Sequence, residues 1–397
     1  MIVEYSDLKQ QFPEAMRADI LREIGQMVDA GDYTLGKAVA EFEQALASYL
    51  KVSHVIGVNS GTEALYLTLR GLGIGPGDEV ITVPNTFAAT VGAILQAGAT
   101  PRFADVNDTD EMFLMPYKNP PVFPVSQNIK AVIPVDWGGD VAGYSMPRIP
   151  LTKNLGRQLT EQEARENTFA VPWVIHDASQ AIGASFTETS RTGTAPVTRT
   201  VGQLGKAACF SFHPLKNVNV WGDAGAVATD DPFLAQKLRS LRNHGLLDRD
   251  TWLEPGVNGR IATIQAIVGK HVLKQVDEIN AKRRYTAKMY DETLATIKGV
   301  QVPPRSLDRS HVYHLYQIQA DRRDELVAFL NKNEIQAKVH YPVPLHLQPA
   351  LRGFHKVGDF PVAEKQASRI VSLPVHQHLG PSEVDFVTAK VREFYRG

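Results

Sequence analysis

The chain has 397 residues, 43% of them apolar and 21% charged, and its 42 Lys and Arg against 43 Asp and Glu leave a net charge of −1. That length points to two domains, and the charge balance offers no electrostatic footprint for nucleic acid or an anionic membrane. A single cysteine, Cys209, excludes an internal disulfide, the charged N-terminus lacks the apolar core of a signal peptide, and no run is long enough to span a bilayer, so a cytoplasmic protein is expected.

In chain order, apolar periodicity predicts a helix over 63–72, a strand over 79–83, a helix over 88–97, and strands over 100–106 and 130–135. Short apolar runs predict further strands over 173–176, 207–212 and 224–229. Alternation of this kind argues for an α/β domain with a mostly parallel sheet flanked by helices, and ligands in such sheets sit at the carboxyl ends of strands. Beyond about residue 245 the pattern becomes two long helices, 261–277 and 279–297, a strand over 312–319, a helix over 323–331, a strand over 336–341 and a closing helix over 382–395. We therefore expect a large domain over 1–245 and a smaller C-terminal α+β domain over 246–397. Two stretches are longer and more polar than their surroundings. In 138–167, Thr160 and Glu163 have capping-box spacing ahead of a short helix, and 186–205 reads as an extended loop or hairpin.

Three segments carry chemistry when taken in order. Asn59-Ser60-Gly61-Thr62-Glu63 puts Gly and Thr at a helix start, where free N–H groups and the helix dipole favour an anion. Val174-Ile175-His176-Asp177 ends an apolar strand on an acid, which reads as a helix cap or as the partner of a ring nitrogen, with Gln180 on the same face if the segment turns helical. Phe210-Ser211-Phe212-His213-Pro214-Leu215-Lys216 ends another strand and then reaches a lysine. Lys216 reads as a solvated charge or as a partly desolvated amine with a depressed pKa, available for imine formation. Phe87 reads as core or as a ring stacked on a ligand. An amine, a carboxylate and an anion-ready helix end are together what pyridoxal 5′-phosphate (PLP) requires. The glycine run over 71–77 follows a helix and contains Pro76, so it reads as a helix stop rather than a dinucleotide loop. His340, His346, His376 and His378 lack metal-ligand spacing, so no metal is expected, and Cys209 alternates within an apolar strand as a small buried hydrophobe.

Along nearly its whole length the chain resembles the PLP-dependent sugar aminotransferases of the DegT/DnrJ/EryC1/StrS family, with fold type I aspartate aminotransferase architecture. The resemblance rests on Tyr33-Thr34-Leu35-Gly36-Lys37 with Phe42-Glu43, Ser60-Gly61-Thr62-Glu63-Ala64-Leu65, Gly75-Pro76-Gly77-Asp78-Glu79, Asp177-Ala178-Ser179-Gln180, Ser211-Phe212-His213 with Lys216, and Tyr341-Pro342 with Pro344-Leu345-His346. It implies that Lys216 is the Schiff-base lysine and proton carrier, Asp177 the pyridinium partner and Gln180 a neighbour of the phenolic oxygen. It further implies phosphate ligation by Thr62, the backbone of Gly61 and Glu63, and Ser211, and ring stacking by Phe87. Asn258 and Arg260 resemble residues that reach the phosphate from the other subunit of a homodimer. Tyr33, His213, His340 and His346, in or beside the matching segments, are candidate substrate contacts. L-glutamate as amino donor, a ketosugar acceptor that is nucleotide-linked, and ping-pong kinetics follow as expectations. Alternatives are a free ketocyclitol or unlinked sugar acceptor in antibiotic biosynthesis and a non-catalytic PLP-binding regulator. Lys216 argues against the family's dehydratase branch, which carries histidine there. His176 departs from the glutamate common before the aspartate, Ala224 from a frequent glycine, and Ala262-Thr263 from a Met-Asp or Met-Thr pair. The two polar stretches are expected to shape the substrate pocket or the dimer surface.

Overall fold

The computed structural model describes residues 1–106, 128–142, 149–150, 169–170, 172–188 and 195–396. Two helices lead the chain, α1 (Glu14–Ala30) and α2 (Lys37–Leu50). Only Ile20 and Met27 of α1 are buried, whereas α2 turns Val39, Phe42, Leu46 and Leu50 inward at helical spacing. The α/β unit then runs β1 (His54–Val58), α3 (Gly61–Gly71), β2 (Glu79–Thr82), α4 (Ala88–Gln96), β3 (Thr100–Phe103) and β4 (Ile129–Val132). The short pair β5 (Ile149–Pro150) and β6 (Phe169–Ala170) precedes β7 (Trp173–Asp177), β8 (Ser185–Glu188), β9 (Val197–Thr200), β10 (Ala207–Ser211) and β11 (Gly225–Thr229).

Seven of these strands form one sheet in the order β1-β11-β10-β7-β4-β2-β3. It is parallel from β10 to β3, and β11 runs antiparallel to both its neighbours. Helices cover both faces, which is why the central strands are continuously apolar rather than alternating. Strand β10 shows the division. Ala208 and Phe210 pack into a cluster with Phe42 and Leu46, while Ala207 and Cys209 pack into another with Leu65, Leu67 and Ile175 on the opposite face. Cys209 is fully buried, as a small hydrophobe, and burial pushes its thiol pKa up.

The next helix, α5 (Pro232–Leu241), starts at Asp231, whose carboxylate accepts from the Phe233 and Leu234 N–H groups with proline at the first helical position. After α6 (Thr263–Leu273) and α7 (Val276–Leu294) come β12 (Val300–Gln301), β13 (Arg309–Ser310), β14 (Tyr316–Ala320), α8 (Arg323–Lys332), α9 (Pro361–Arg369), β15 (Ile370–Leu373) and α10 (Pro381–Arg396). Strands β12, β14 and β15 make an antiparallel sheet, and Tyr290, Tyr316, Leu326 and Val387 share its apolar cluster. The cluster around Phe42 also contains Ile261, Ile267 and Val272, so it crosses residue 245. The N-terminus joins the C-terminal elements through a parallel bridge between Val3 and Ile335.

The stretch over 186–205 contains a hairpin, β8 against β9, whose tip lies outside the described residues, as do Thr160, Glu163 and the short helix expected after them. The expected strand over 312–319 begins only at Tyr316, because the N–H groups of Val312 and Leu315 go instead to the carbonyls of Gly139 and Gly138. The expected strand over 336–341 reduces to a bridge between Lys338 and Ser372, since the chain turns there toward Pro342 and Pro344, which have no N–H to extend a ladder. Among the described residues, no helix is long and apolar enough to cross a membrane.

Candidate active site

A cavity of about 270 Å³ opens at the carboxyl ends of β7 and β10. The parallel register sets Cys209 beside Asp177, so β7 ends at that level and β10 runs two residues further to Ser211, and together they deliver Asp177 and, a short turn later, Lys216 to one cavity. Ser60 builds the adjoining rim. Its extended backbone follows β1 by two residues, its hydroxyl accepts from the Glu63 N–H at 3.1 Å, and α3 starts at Gly61. Close approach makes this corner glycine-dependent. A Cβ on Gly61 would lie 2.7 Å from Ser211 Cβ, and one on Gly225 would lie 2.4 Å from the Ser60 carbonyl.

Lys216 lines the cavity and its Nζ makes no hydrogen bond or ion pair among the described residues. Burial pulls its pKa down from 10.5 to about 8, against an upward pull from the Asp177 charge. Asp177 is buried and held on both oxygens. Oδ2 accepts from Thr90 Oγ1 at 2.7 Å and Oδ1 from the Ser179 N–H at 3.3 Å. Because the Thr90 proton is committed to Asp177, Thr86 Oγ1 is the donor in the 2.8 Å contact between the two threonines. Beneath Asp177, His176 is fully buried with Nδ1 3.0–3.1 Å from both Asp136 oxygens, and Asp136 Oδ1 also accepts from the Ala142 N–H. The departure at His176 is therefore matched by a carboxyl beside it, one that burial pushes upward in pKa.

Gly61, Thr62, Phe87, Gln180, Ser211, His213 and His340 also line the cavity. Gln180 Oε1 accepts from the Gly138 N–H at 2.7 Å. Phe87 begins α4 and remains 55% exposed, unusual for a phenylalanine, with its ring 6.0 Å from that of Tyr341. His213 Nδ1 accepts from the Leu215 N–H at 3.2 Å, leaving the neutral tautomer with its proton on Nε2. His340 Nδ1 lies 2.9 Å from Ser372 Oγ, and burial with Lys338 and Lys216 nearby lowers its pKa to about 4.

The other expected residues do not line this cavity. Glu63 turns its side chain toward Gly259, where a Cβ would lie 3.1 Å from its carboxyl oxygen. Asn258 is exposed, and Arg260 donates to Asn243 Oδ1 at 2.7 Å. Tyr33 is exposed, with its carbonyl accepting from Thr263 Oγ1. His346 is fully buried among Phe103, His355 and Phe360, with Nε2 3.0 Å from Glu364 Oε1. Among the described residues, no group of three His, Cys, Asp or Glu side chains is placed to hold a metal. Sequence reading missed Thr86, Thr90, Tyr5, Arg283 and His314. Each is locally unremarked, and only the tertiary fold brings the N-terminal segment and α7 to this cavity.

The chain matches the DegT/DnrJ/EryC1/StrS aminotransferase family over residues 14–392. It is 36% identical to the pleiotropic regulatory protein of Geobacillus stearothermophilus, covering 100% of this chain and 99% of that protein. It is 35% identical to the dTDP-3-amino-3,4,6-trideoxy-alpha-D-glucose transaminase of Streptomyces venezuelae, covering 99% and 96%. The crystal structure of S. venezuelae DesV in complex with a ketimine intermediate superposes with a TM-score of 0.84 at 34% identity, covering 100% of this chain and 99% of that one. With the α/β architecture and mixed sheet described above, the chain belongs to the DegT/DnrJ/EryC1/StrS aminotransferase family and has the fold of the PLP-type aminotransferases.

Proposed function

We propose that the protein transfers an amino group from L-glutamate to a nucleotide-linked ketosugar by a ping-pong mechanism, with PLP held in the cavity between α3 and β10. The observation that carries this is the desolvated amine of Lys216, unpaired among the described residues, sharing one cavity with the twice-anchored carboxyl of Asp177. The residues present fit the cofactor. Gly61 leaves room beside Ser211, the start of α3 offers N–H groups and the Thr62 hydroxyl to a phosphate, and the exposed ring of Phe87 offers a stacking face.

When bound, PLP supplies an aldehyde for covalent attachment and a ring that takes up the electron pair of a broken C–H bond. Lys216 Nζ would hold it covalently and, once the donor's amine has taken its place, would be the free amine positioned to carry a proton away from the donor's Cα. Asp177, oriented by Thr90 and Ser179, would keep a proton on the ring nitrogen. Gln180, itself oriented by Gly138, would neighbour the phenolic oxygen, and Thr62 and Ser211, which line the same cavity, would hold the phosphate. Asn258 and Arg260 complete the phosphate site of a second copy of the chain. Their distance from their own cavity and the exposed Leu247, Trp252 and Leu253 nearby support that homodimer reading. Relatives named as dTDP-sugar and UDP-sugar aminotransferases support the nucleotide handle on the acceptor. His213 and His340 are the substrate contacts this reading retains.

Initial rates with L-glutamate and a nucleotide-linked ketosugar test the scheme. Parallel double-reciprocal lines are expected, and intersecting lines exclude the ping-pong order. The regulatory name of the Geobacillus relative suggests a second reading, in which the protein binds PLP without turnover. Measured conversion of the cofactor by donor alone would exclude it.

A further inference from the structure

Asp136 and His176 are both fully buried, and neither lines the cavity. His176 Nδ1 lies 3.1 Å from Asp136 Oδ1 and 3.0 Å from Oδ2. At that separation a proton lies between the two groups, whichever of them carries it. Side chains alternate along β7, so His176 sits on the sheet face opposite Asp177. A pair so placed could be a satisfied core contact and nothing more, as His346 with Glu364 is outside the cavity.

What sets Asp136 apart is the number of cavity residues tied to it. Its N–H donates to the Asp177 carbonyl at 3.0 Å, and the Asp177 N–H donates to the Pro134 carbonyl at 2.9 Å, which locks the two segments in register where β7 ends. Asp136 Oδ1 accepts from the Ala142 N–H at 2.8 Å and so closes residues 136–142 into a loop. Within that loop Gly138 and Gly139 both take positive φ, 64° and 102°. The Gly138 N–H donates to Gln180 Oε1 at 2.7 Å, which leaves the amide NH2 of Gln180 as its donor toward a ligand. The carbonyls of Gly138 and Gly139 accept from the Leu315 and Val312 N–H groups at 3.0 and 2.8 Å, and a Cβ on Gly139 would lie 2.8 Å from Val312 Cγ2. Asp177, Gln180, His314 and Leu315 all line the cavity. One loop thus joins the carboxyl and the amide assigned to the cofactor ring to a third part of the cavity wall. Its clasp is the Asp136 carboxyl, and His176 is the side chain that keeps that carboxyl in a dry place.

We propose that the Asp136–His176 pair is a positioning device for the cofactor, which sets Asp177 and Gln180 through the 136–142 loop. This rests on the PLP reading above and deepens it by assigning the orientation of both ring contacts to a pair that touches neither the cofactor nor the cavity.

The test compares His176→Leu, which removes the nitrogen, with His176→Asn, whose amide nitrogen falls where Nδ1 stands. In His176→Leu the Kd for PLP by fluorescence titration should rise by about tenfold or more, and the visible absorption maximum of the bound cofactor should move. His176→Asn should recover most of both. A lower Tm with Kd and absorption unchanged overturns the proposal and leaves a core contact, and so does a His176→Asn that binds PLP no better than His176→Leu. If the variants do not fold, hydrogen exchange by mass spectrometry on the unmodified protein decides. PLP loading should slow amide exchange across 136–142, although that segment does not line the cavity. Unchanged exchange there overturns the proposal. If the unmodified protein does not bind PLP at all, the PLP reading itself fails, a different outcome from binding that leaves the loop untouched.

Discussion

In the cofactor-free protein, Lys216 titrates near pH 8 rather than near 10.5, because burial strips water from its ammonium and the Asp177 charge only partly compensates. At pH 7 about one amine in ten is then neutral, against about one in 3,000 for an ordinary lysine, a gain of about 300-fold in the form able to attack an aldehyde. The same shift is worth about 3 kcal/mol. Its sign follows from proton binding. Between the folded and unfolded pKa values the unfolded chain holds the extra proton, so stability rises as pH climbs from about 8 to about 10.5, and the cost is carried in full below that window. Brief competitive acetylation between about pH 6 and pH 11, read by peptide mass spectrometry, compares Lys216 with a surface residue such as Lys288. Lys216 should show its midpoint near pH 8, moving lower in Asp177→Asn, where the charge that opposes deprotonation is gone. A midpoint at or above pH 10, or an upward move in Asp177→Asn, would refute the argument.

Three further outcomes follow from particular contacts. Thr90→Val removes the 2.7 Å hydrogen bond to Asp177 Oδ2, worth about 1.5–3 kcal/mol for a charged acceptor, so the Kd for PLP by fluorescence titration should rise by about tenfold or more. Gly61→Ala drives a Cβ into Ser211 and should weaken PLP binding, with the Kd for PLP raised in fluorescence titration; an unchanged Kd would mean that this close approach does not constrain the site. His346→Phe breaks the pair with Glu364 in an aromatic cage, so Tm should fall by several degrees while KM for donor and acceptor stays put. A raised KM with unchanged Tm would return His346 to the substrate site.

Much of the fold was legible because both periodicities are strong where both faces of the sheet are covered. The runs containing β2, β7, β10 and β11 could be read directly, as could α3 and α4. Helix α1 escaped because its inward stripe is only Ile20 and Met27, too narrow to register as amphipathic. The segment before Tyr316 misled because its alternation is real but the N–H groups of Val312 and Leu315 serve the carbonyls of Gly139 and Gly138. At the site, residues on the strand ends announced themselves, since an acid or amine closing an apolar run has few structural uses. Arg283 did not, because a lysine- and arginine-rich helix gives no sign of which cation will be buried, and Tyr5 reaches the cavity only through the bridge of Val3 to Ile335.

Borohydride reduction of the PLP-loaded protein, followed by digestion and mass spectrometry, tests the central assignment most directly. The account predicts a phosphopyridoxyl group on the peptide carrying Lys216 and its disappearance when L-glutamate is added before reduction. A label on another lysine, or a label on Lys216 that glutamate does not remove, would contradict it.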